Sequence, residues 1–247
     1  MSRILRHLLA LPFRIMPKSI RYRLIQTILT AESKRAPTDA LRAFFQIDDH
    51  LTWCINNAAV QYENGIHVKH RLMDYHDFFV DRIQPNEKVM DLGCGYGAVA
   101  NSVASRSGAQ VMGIDLNPKN IAQAKTNYNL PNLTFIEGDV FKDLPNETFD
   151  TIVFSNVLEH IEHRVEFLST VQKQLNPKRW LIRVPMFNRD WRVPLRQELG
   201  ITYFSDGTHF TEYTRESFEQ EMQAAQLIIA HIQINWGEIW AEVKHHA

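Results

Sequence analysis

Two groups of residues in this 247-residue chain have the types and spacing to do chemistry. The first is Asp91-Leu92-Gly93-Cys94-Gly95-Tyr96-Gly97, followed by Asp115 and Asp139, each at or just beyond the end of an apolar run. Glycines at alternate positions permit positive φ and clear side chains from a surface that a ligand must approach. A carboxylate directly ahead of them repels a pyrophosphate and suits a cationic ligand. Asp115 stands where a strand-end carboxylate accepts from ribose hydroxyls, and Asp139 where one can accept from an adenine amino group. The second group is rich in histidine, the usual base near neutral pH. It comprises Glu159-His160, His209 within Asp206-Gly207-Thr208-His209-Phe210-Thr211-Glu212-Tyr213-Thr214, and His67-Val68-Lys69-His70-Arg71 with His76.

These residues need a scaffold, and the pattern from residue 85 onward supplies one. Strands are expected at Lys88–Leu92, Gln110–Ile114, Leu133–Ile136, Thr151–Ser155 and Trp180–Val184, with helices at Ala98–Ser107, Pro118–Asn127 and Glu162–Gln174. Such alternation argues for a parallel sheet covered by helices on both faces. Helix Arg215–Ala225, capped by Thr214, and strands Leu227–Asn235 and Ile239–Lys244 follow, the last expected to be antiparallel. Ligands of open α/β sheets sit beyond the carboxyl ends of the strands, so the glycine turn and the three histidine elements are expected to converge there. Ahead of this domain (85–247), residues 1–84 read as a helical extension and lid, with helices over 38–60 and 68–84. Pro12 and Pro17 divide its first part into short helices. Between strand five and the next helix, Arg189 and Trp191 belong to a stretch mixing arginines with aromatics. Arginine forks suit carboxylate or phosphate, and aromatic faces suit sugar rings or bases.

Charge is unevenly placed. Residues 1–35 hold eight Arg or Lys against Glu32, so the rest of the chain is net acidic although the total is only −1. The basic segment is also apolar, as expected of a terminus that lies on an anionic lipid surface. It is too short in its apolar run, and too early in Arg14, for a signal peptide. No uncharged apolar stretch is long enough to span a bilayer. Cys54 and Cys94, without a Cys-x-x-Cys pair, exclude a disulfide framework or thiolate zinc site and point to a reducing, cytoplasmic setting. Membrane association through residues 1–35 is expected from the basic, apolar terminus alone. The acidic body argues against nucleic acid as a partner.

Across residues 85–240 the chain resembles class I S-adenosylmethionine-dependent methyltransferases. Asp91–Gly97 is similar to their glycine-rich motif, Gly113-Ile114-Asp115-Leu116 to the ribose motif and Glu137-Gly138-Asp139-Val140 to the adenine motif. Phe149–His160 is similar to their strand-four motif. The resemblance implies a Rossmann-like seven-stranded sheet of order 3-2-1-4-5-7-6 with strand seven antiparallel. It also implies cofactor contacts at Asp91, Gly93, Gly95, Gly97, Asp115, Leu116, Asp139, Val140 and Asn156, the last through its backbone at the methionine end.

Glu159-His160 with His209 resembles the metal site of 2′-O-methyltransferases acting on small-RNA ends, which use two glutamates and two histidines. Asn156 stands where the first glutamate would be, and a missing carboxylate weakens hard-cation binding. Metal-free chemistry is therefore expected, with His160 or His209 as base and Glu159 beside them. His67, His70, Arg71, Arg189 and Trp191 are expected to bind the acceptor, since these regions resemble bacterial methyltransferases of glycan and natural-product pathways. The expected activity is O-methylation of a small-molecule acceptor, a hydroxyl on a sugar-containing or lipid-linked metabolite. Quinone-type and RNA-end O-methylation are the competing enzyme readings, and a non-catalytic cofactor-binding scaffold the competing class.

Overall fold

A computed structural model describes residues 11–245. Residues 1–10 of the basic segment lie outside the described residues. The described residues open in helix at 11–15, which includes Pro12 and so shows no break there. The helix ends at Met16-Pro17, as Pro17 predicts, and α1 (Lys18–Glu32) and α2 (Pro37–Tyr62) follow. Pro37 occupies the first turn of α2, where its missing N–H costs nothing.

Two short helices, α3 (Lys69–Leu72) and α4 (Tyr75–Val80), stand where one helix over 68–84 is expected. The break is at Asp74, whose φ of 50° is left-handed, a conformation that Asp tolerates better than most residues. It turns Tyr75, His76, Phe78 and Phe79 into the core while Lys69–Leu72 stay nearer the surface.

The sheet contains β1 (Lys88–Leu92), β2 (Gln110–Asp115), β3 (Leu133–Glu137), β4 (Thr151–Ser155), β5 (Arg179–Pro185), β6 (Leu227–Asn235) and β7 (Glu238–His245). Their order is β3-β2-β1-β4-β5-β7-β6. β7 runs antiparallel to both neighbours and the other pairings are parallel, as the resemblance implies. β1 lies between β2 and β4, so the chain reverses direction across the sheet beside it, which makes the switch point where ligands bind.

Alternating side chains feed two cores. Met90, Leu92, Ile152, Phe154 and Ile182 pack beneath α7 (Arg164–Leu175) and α9 (Arg215–Ala224). Val89, Val111, Val153 and Leu181 pack beneath α4, α5 (Ala98–Ser107) and α6 (Pro118–Asn127). Thr214 caps α9 in a reciprocal capping box with Ser217.

The stretch of arginines and aromatics after β5 contains α8 (Arg192–Glu198). Seven residues do not hold a helix alone; α8 is held by α2, because Arg196 donates to the Phe45 carbonyl at 3.3 Å and pairs with Asp49 at 2.8 Å. Beyond that anchor the N-terminal helices bury little: α2 buries Ala40 and Phe45, and α1 buries nothing among the described residues. No helix among the described residues is long and apolar enough to cross a membrane.

Candidate active site

At the carboxyl end of β1, Gly93, Gly95 and Gly97 all have left-handed φ, between 54° and 78°. A Cβ at Gly93 would sit 2.7 Å from Val157, and one at Gly97 2.5 Å from the Phe135 ring. A Cβ at Gly95 would meet nothing within 4 Å among the described residues. The outer glycines therefore allow the turn to pack, and the middle one leaves the open surface.

Beneath the turn, Asp91 is 2% exposed. Burial raises its carboxyl to about 7, against a hydrogen bond from the Ala100 N–H. Asn156, at φ 58°, buries Oδ1 with no hydrogen-bond partner among the described residues. A buried acid and an orphaned amide oxygen beside an open glycine surface fit a ligand with a cationic amino-acid end.

Asp115 accepts from Gly95 N at 2.9 Å through one oxygen, and from Asn117 N at 2.8 Å and Asn120 Nδ2 at 3.0 Å through the other. It thus ties the glycine turn to β2 and uses three of a carboxylate's roughly four acceptor positions. Asn120 must release its bond before Asp115 can accept from two ribose hydroxyls. Asp139 likewise holds Phe141 N and Lys142 Nζ, both at 2.9 Å, and the Lys142 bond keeps its carboxyl below the usual range. Leu116, Tyr96 and Phe141 present exposed apolar surface around this edge, suited to a planar base, while Val140 packs against the core.

Beyond β4, a 3₁₀ turn, Leu158–His160, meets the Asp206–Glu212 loop. The His160 and His209 rings lie edge-to-face, 4.5 Å between centroids. His160 Nδ1 is 2.8 Å from Thr208 Oγ1, and that hydroxyl donates to Asp206 at 2.6 Å. The hydroxyl proton being committed, Nδ1–H donates to Thr208 and the Nε2 lone pair is left without a hydrogen-bond partner among the described residues. Burial and neighbouring His209 hold the His160 pKa below its usual value, keeping the ring neutral. His209 Nδ1 lies 3.4 Å from Glu212, which also receives Ser205 N and pairs with Arg189.

Glu159 is fully buried, and neither carboxylate oxygen has a hydrogen-bond partner among the described residues. Desolvation raises its carboxyl to about 8. One ligand atom each from Glu159, His160 and His209 falls within 4.8 Å of the others, a grouping that could hold a divalent ion.

The third histidine element forms its own cluster. His70 Nδ1 is 2.7 Å from the Tyr75 hydroxyl and 2.9 Å from His76, whose Nδ1 is 2.7 Å from Ser102 Oγ. Burial lowers both histidines to about 4. His67 pairs with Asn56 at 3.2 Å and Arg71 with Glu63 at 2.6 Å. The link to the sheet is Arg183, stacked 3.7 Å over the Tyr75 ring and held by Glu238 through two 2.6 Å bonds. Direct contacts link Glu159, His160, His209, Glu212 and Arg189, while His70 reaches the sheet through Tyr75 and Arg183, and His67 bonds Asn56 of α2. Trp191 immediately precedes α8 and is 71% exposed. Sequence reasoning missed Thr208 and Glu212 as the groups that orient the two rings. The Asp206-Gly207-Thr208 turn was the available signal for the first, whereas the buried pairing of Glu212 with Arg189 has none.

This fold and edge define a class I, S-adenosylmethionine-dependent methyltransferase. A family model described as "Methyltransferase domain" matches residues 65–232, and the chain belongs to that family. It is 29% identical over 155 residues to the mitochondrial ubiquinone biosynthesis O-methyltransferase of Schizosaccharomyces pombe, covering 61% of this chain and 55% of that one. It therefore spans little more than half the length of that relative. Among solved structures, magnesium protoporphyrin IX methyltransferase from Synechocystis, with bound SAH, shares the fold at TM-score 0.57 and 18% identity, over 70% of this chain and 83% of that one. The small RNA methyltransferase HEN1 matches at TM-score 0.58 and 19% identity, over 73% of this chain and 26% of its own.

Proposed function

We propose that this chain O-methylates a ring hydroxyl of a quinone-type acceptor, with His160 as the general base. The observation that carries the base assignment is the Asp206–Thr208–His160 chain, which fixes the tautomer and leaves Nε2 free to take a proton. The acceptor class draws on the ubiquinone biosynthesis O-methyltransferases among its relatives, which favour a quinone-type ring over the sugar-containing metabolite expected from the sequence. Bound S-adenosylmethionine would supply the electrophilic methyl group. Asp91, Asn156 and the glycine turn would hold its amino-acid end, and Asp115 and Asp139 its nucleoside.

His160→Ala should lower turnover by about 10²- to 10⁴-fold, the usual range for general bases, while cofactor affinity in calorimetry is retained. Full turnover would reject the role.

A second reading is favoured by the orphaned oxygens of Glu159: a divalent cation held by Glu159, His160 and His209. Activity lost to a chelator and restored by magnesium or manganese would select it, and chelator-insensitive activity would remove it.

We further propose that residues 1–84 are a helical extension to a catalytic domain at 85–247, with residues 1–35 resting on an anionic membrane surface. Leu11, Phe13, Ile15, Ile20, Ile25 and Ile28 are exposed among arginines and lysines. Ile47, Leu51 and Ile55, spaced by four on one face of α2, add to this apolar surface. Flotation with phosphatidylglycerol vesicles should recover the full chain and leave a chain lacking residues 1–35 unbound; equal partitioning would sink the idea.

A further inference from the structure

Register fixes what stands beside the reacting edge at the far side of the sheet. Pro185, at the carboxyl end of β5, pairs with Glu238, the first residue of β7. The two-residue β6–β7 turn, Trp236-Gly237, therefore lies at the same edge as the glycine turn after β1. Both turn residues are left-handed, with φ of 55° and 73°. Gly237 suits that conformation, and its hydrogens face Arg189, where an added Cβ would come within 2.6 Å of the Arg189 Cβ. Trp236 does not suit it. Asn, Asp or Gly is favoured at the first position of such a turn, and a bulky residue there is a backbone outlier. This tryptophan is also 68% exposed, so core packing does not account for it. Strain of this kind concentrates at functional positions.

Trp236 and Gly237 line a cavity of about 700 Å³ that is closed on the other side by α2, through Thr52, Trp53 and Asn56. Trp53, like Trp236, is largely exposed. Tyr203 and Phe204 complete the aromatic wall, with Ser205 beside them. The charged lining balances: three arginines, 189, 192 and 196, against Asp48, Asp49 and Asp190. Each arginine is engaged, Arg189 with Glu212, Arg192 with Asp190 at 2.8 Å and Arg196 with Asp49 at 2.8 Å. A site with aromatic walls and arginines already paired favours a flat, uncharged ligand and penalises an anion, which would have to displace a carboxylate. The cavity adjoins the histidine pair: Phe204 contacts the His209 ring edge-to-face at 6.3 Å, and Arg189 and Ser205 both bind Glu212, the partner of His209.

We propose that this cavity is the acceptor site and that Trp53 and Trp236 are its specificity-determining walls, selecting an uncharged hydroxylated aromatic ring. The proposal rests on the O-methyltransferase reading for its chemistry, but its test reads binding separately from turnover. Calorimetry on the full chain uses a catechol bearing one prenyl group as the neutral probe and 3,4-dihydroxybenzoate as the charged one; methyl transfer to the neutral probe is measured in parallel. Trp53→Ala and Trp236→Asn are the variants. Asn is at home in the left-handed turn, so Trp236→Asn should melt no lower than the parent chain.

The expected result is that the neutral probe binds better than the benzoate, and that each variant weakens it by about tenfold or more, as loss of one stacking wall implies. Affinity for S-adenosylmethionine should stay within about twofold, since neither tryptophan is among the residues proposed to hold the cofactor. Neutral-probe affinity unchanged in both variants, no binding of the neutral probe, or tighter binding of the benzoate would each overturn the proposal. Tryptophan-dependent binding without methyl transfer supports the cavity and counts against the ring-hydroxyl reading. Methyl transfer unaffected by either variant does the reverse.

Discussion

Glu159→Gln should make the cofactor-free protein more stable, and increasingly so as pH rises. The folded carboxyl holds its proton up to about pH 8 because burial penalises the anion, whereas its ordinary value is 4.5. Between those values the folded state binds the extra proton, so its stability is full below 4.5 and is lost as pH climbs through about 8. At pH 7 the gap from 4.5, at about 1.4 kcal/mol per pH unit, corresponds to about 3 kcal/mol. Gln copies the shape of the neutral acid and leaves the same buried polar atoms without partners, so it removes the titration and little else. For a chain of this size about 3 kcal/mol is roughly 6–12 °C in Tm; water entry relieves part of it, so several degrees are expected at pH 7 to 8 and almost none at pH 5. Thermal melts of both proteins from pH 5 to 9 measure this. A Glu159→Gln chain that melts lower at pH 8, or whose gain does not grow with pH, would refute a neutral Glu159 and mark the carboxylate as ionised against a cation.

Asp115→Ala should abolish measurable binding of S-adenosylmethionine in calorimetry, since it releases both Gly95 and the ribose position; unchanged affinity would remove Asp115 from the cofactor site. Gly97→Ala combines a left-handed φ with a Cβ 2.5 Å from the Phe135 ring, so denaturant unfolding should show a loss of about 1–3 kcal/mol. Arg183→Met removes both ion-pair bonds of the half-buried Glu238 and leaves it only the Trp240 Nε1–H, so it should cost about 3 kcal/mol, the low end for a broken buried pair, read in the same assay. Adding Glu238→Gln should then recover part of it, and no recovery would place the role of Arg183 in its contact with Tyr75.

The order of strands and helices was legible because its signals are local. Helices Ala98–Ser107 and Pro118–Asn127 have the expected bounds: Gly97 and Gly108 flank the first in left-handed conformation, and Asn117 caps the second with Pro118 in its first turn. What was not legible is set by distant contacts. α8 exists because α2 receives Arg196. The break at Asp74 follows from aiming Tyr75 and Phe79 into the core beneath β1 and β2, a demand that periodicity over 68–84 does not express. The histidines could be singled out by type, but not sorted. His70 and His76 satisfy each other in a buried cluster, whereas His160 and His209 are oriented by Thr208 and Glu212 and keep their outer nitrogens free of intramolecular hydrogen bonds among the described residues.

Helix α2 carries Asp49, Thr52, Trp53 and Asn56 on one side and Ile47, Leu51 and Ile55 on the other. A single rigid rod therefore forms a wall of the cavity and presents part of the surface assigned to the bilayer. Whatever shifts that rod on one side shifts it on the other, so any effect of one association on the other is returned by the same factor. An enzyme built this way would search for its acceptor in two dimensions, and its apparent affinity would depend on the lipid offered alongside the substrate.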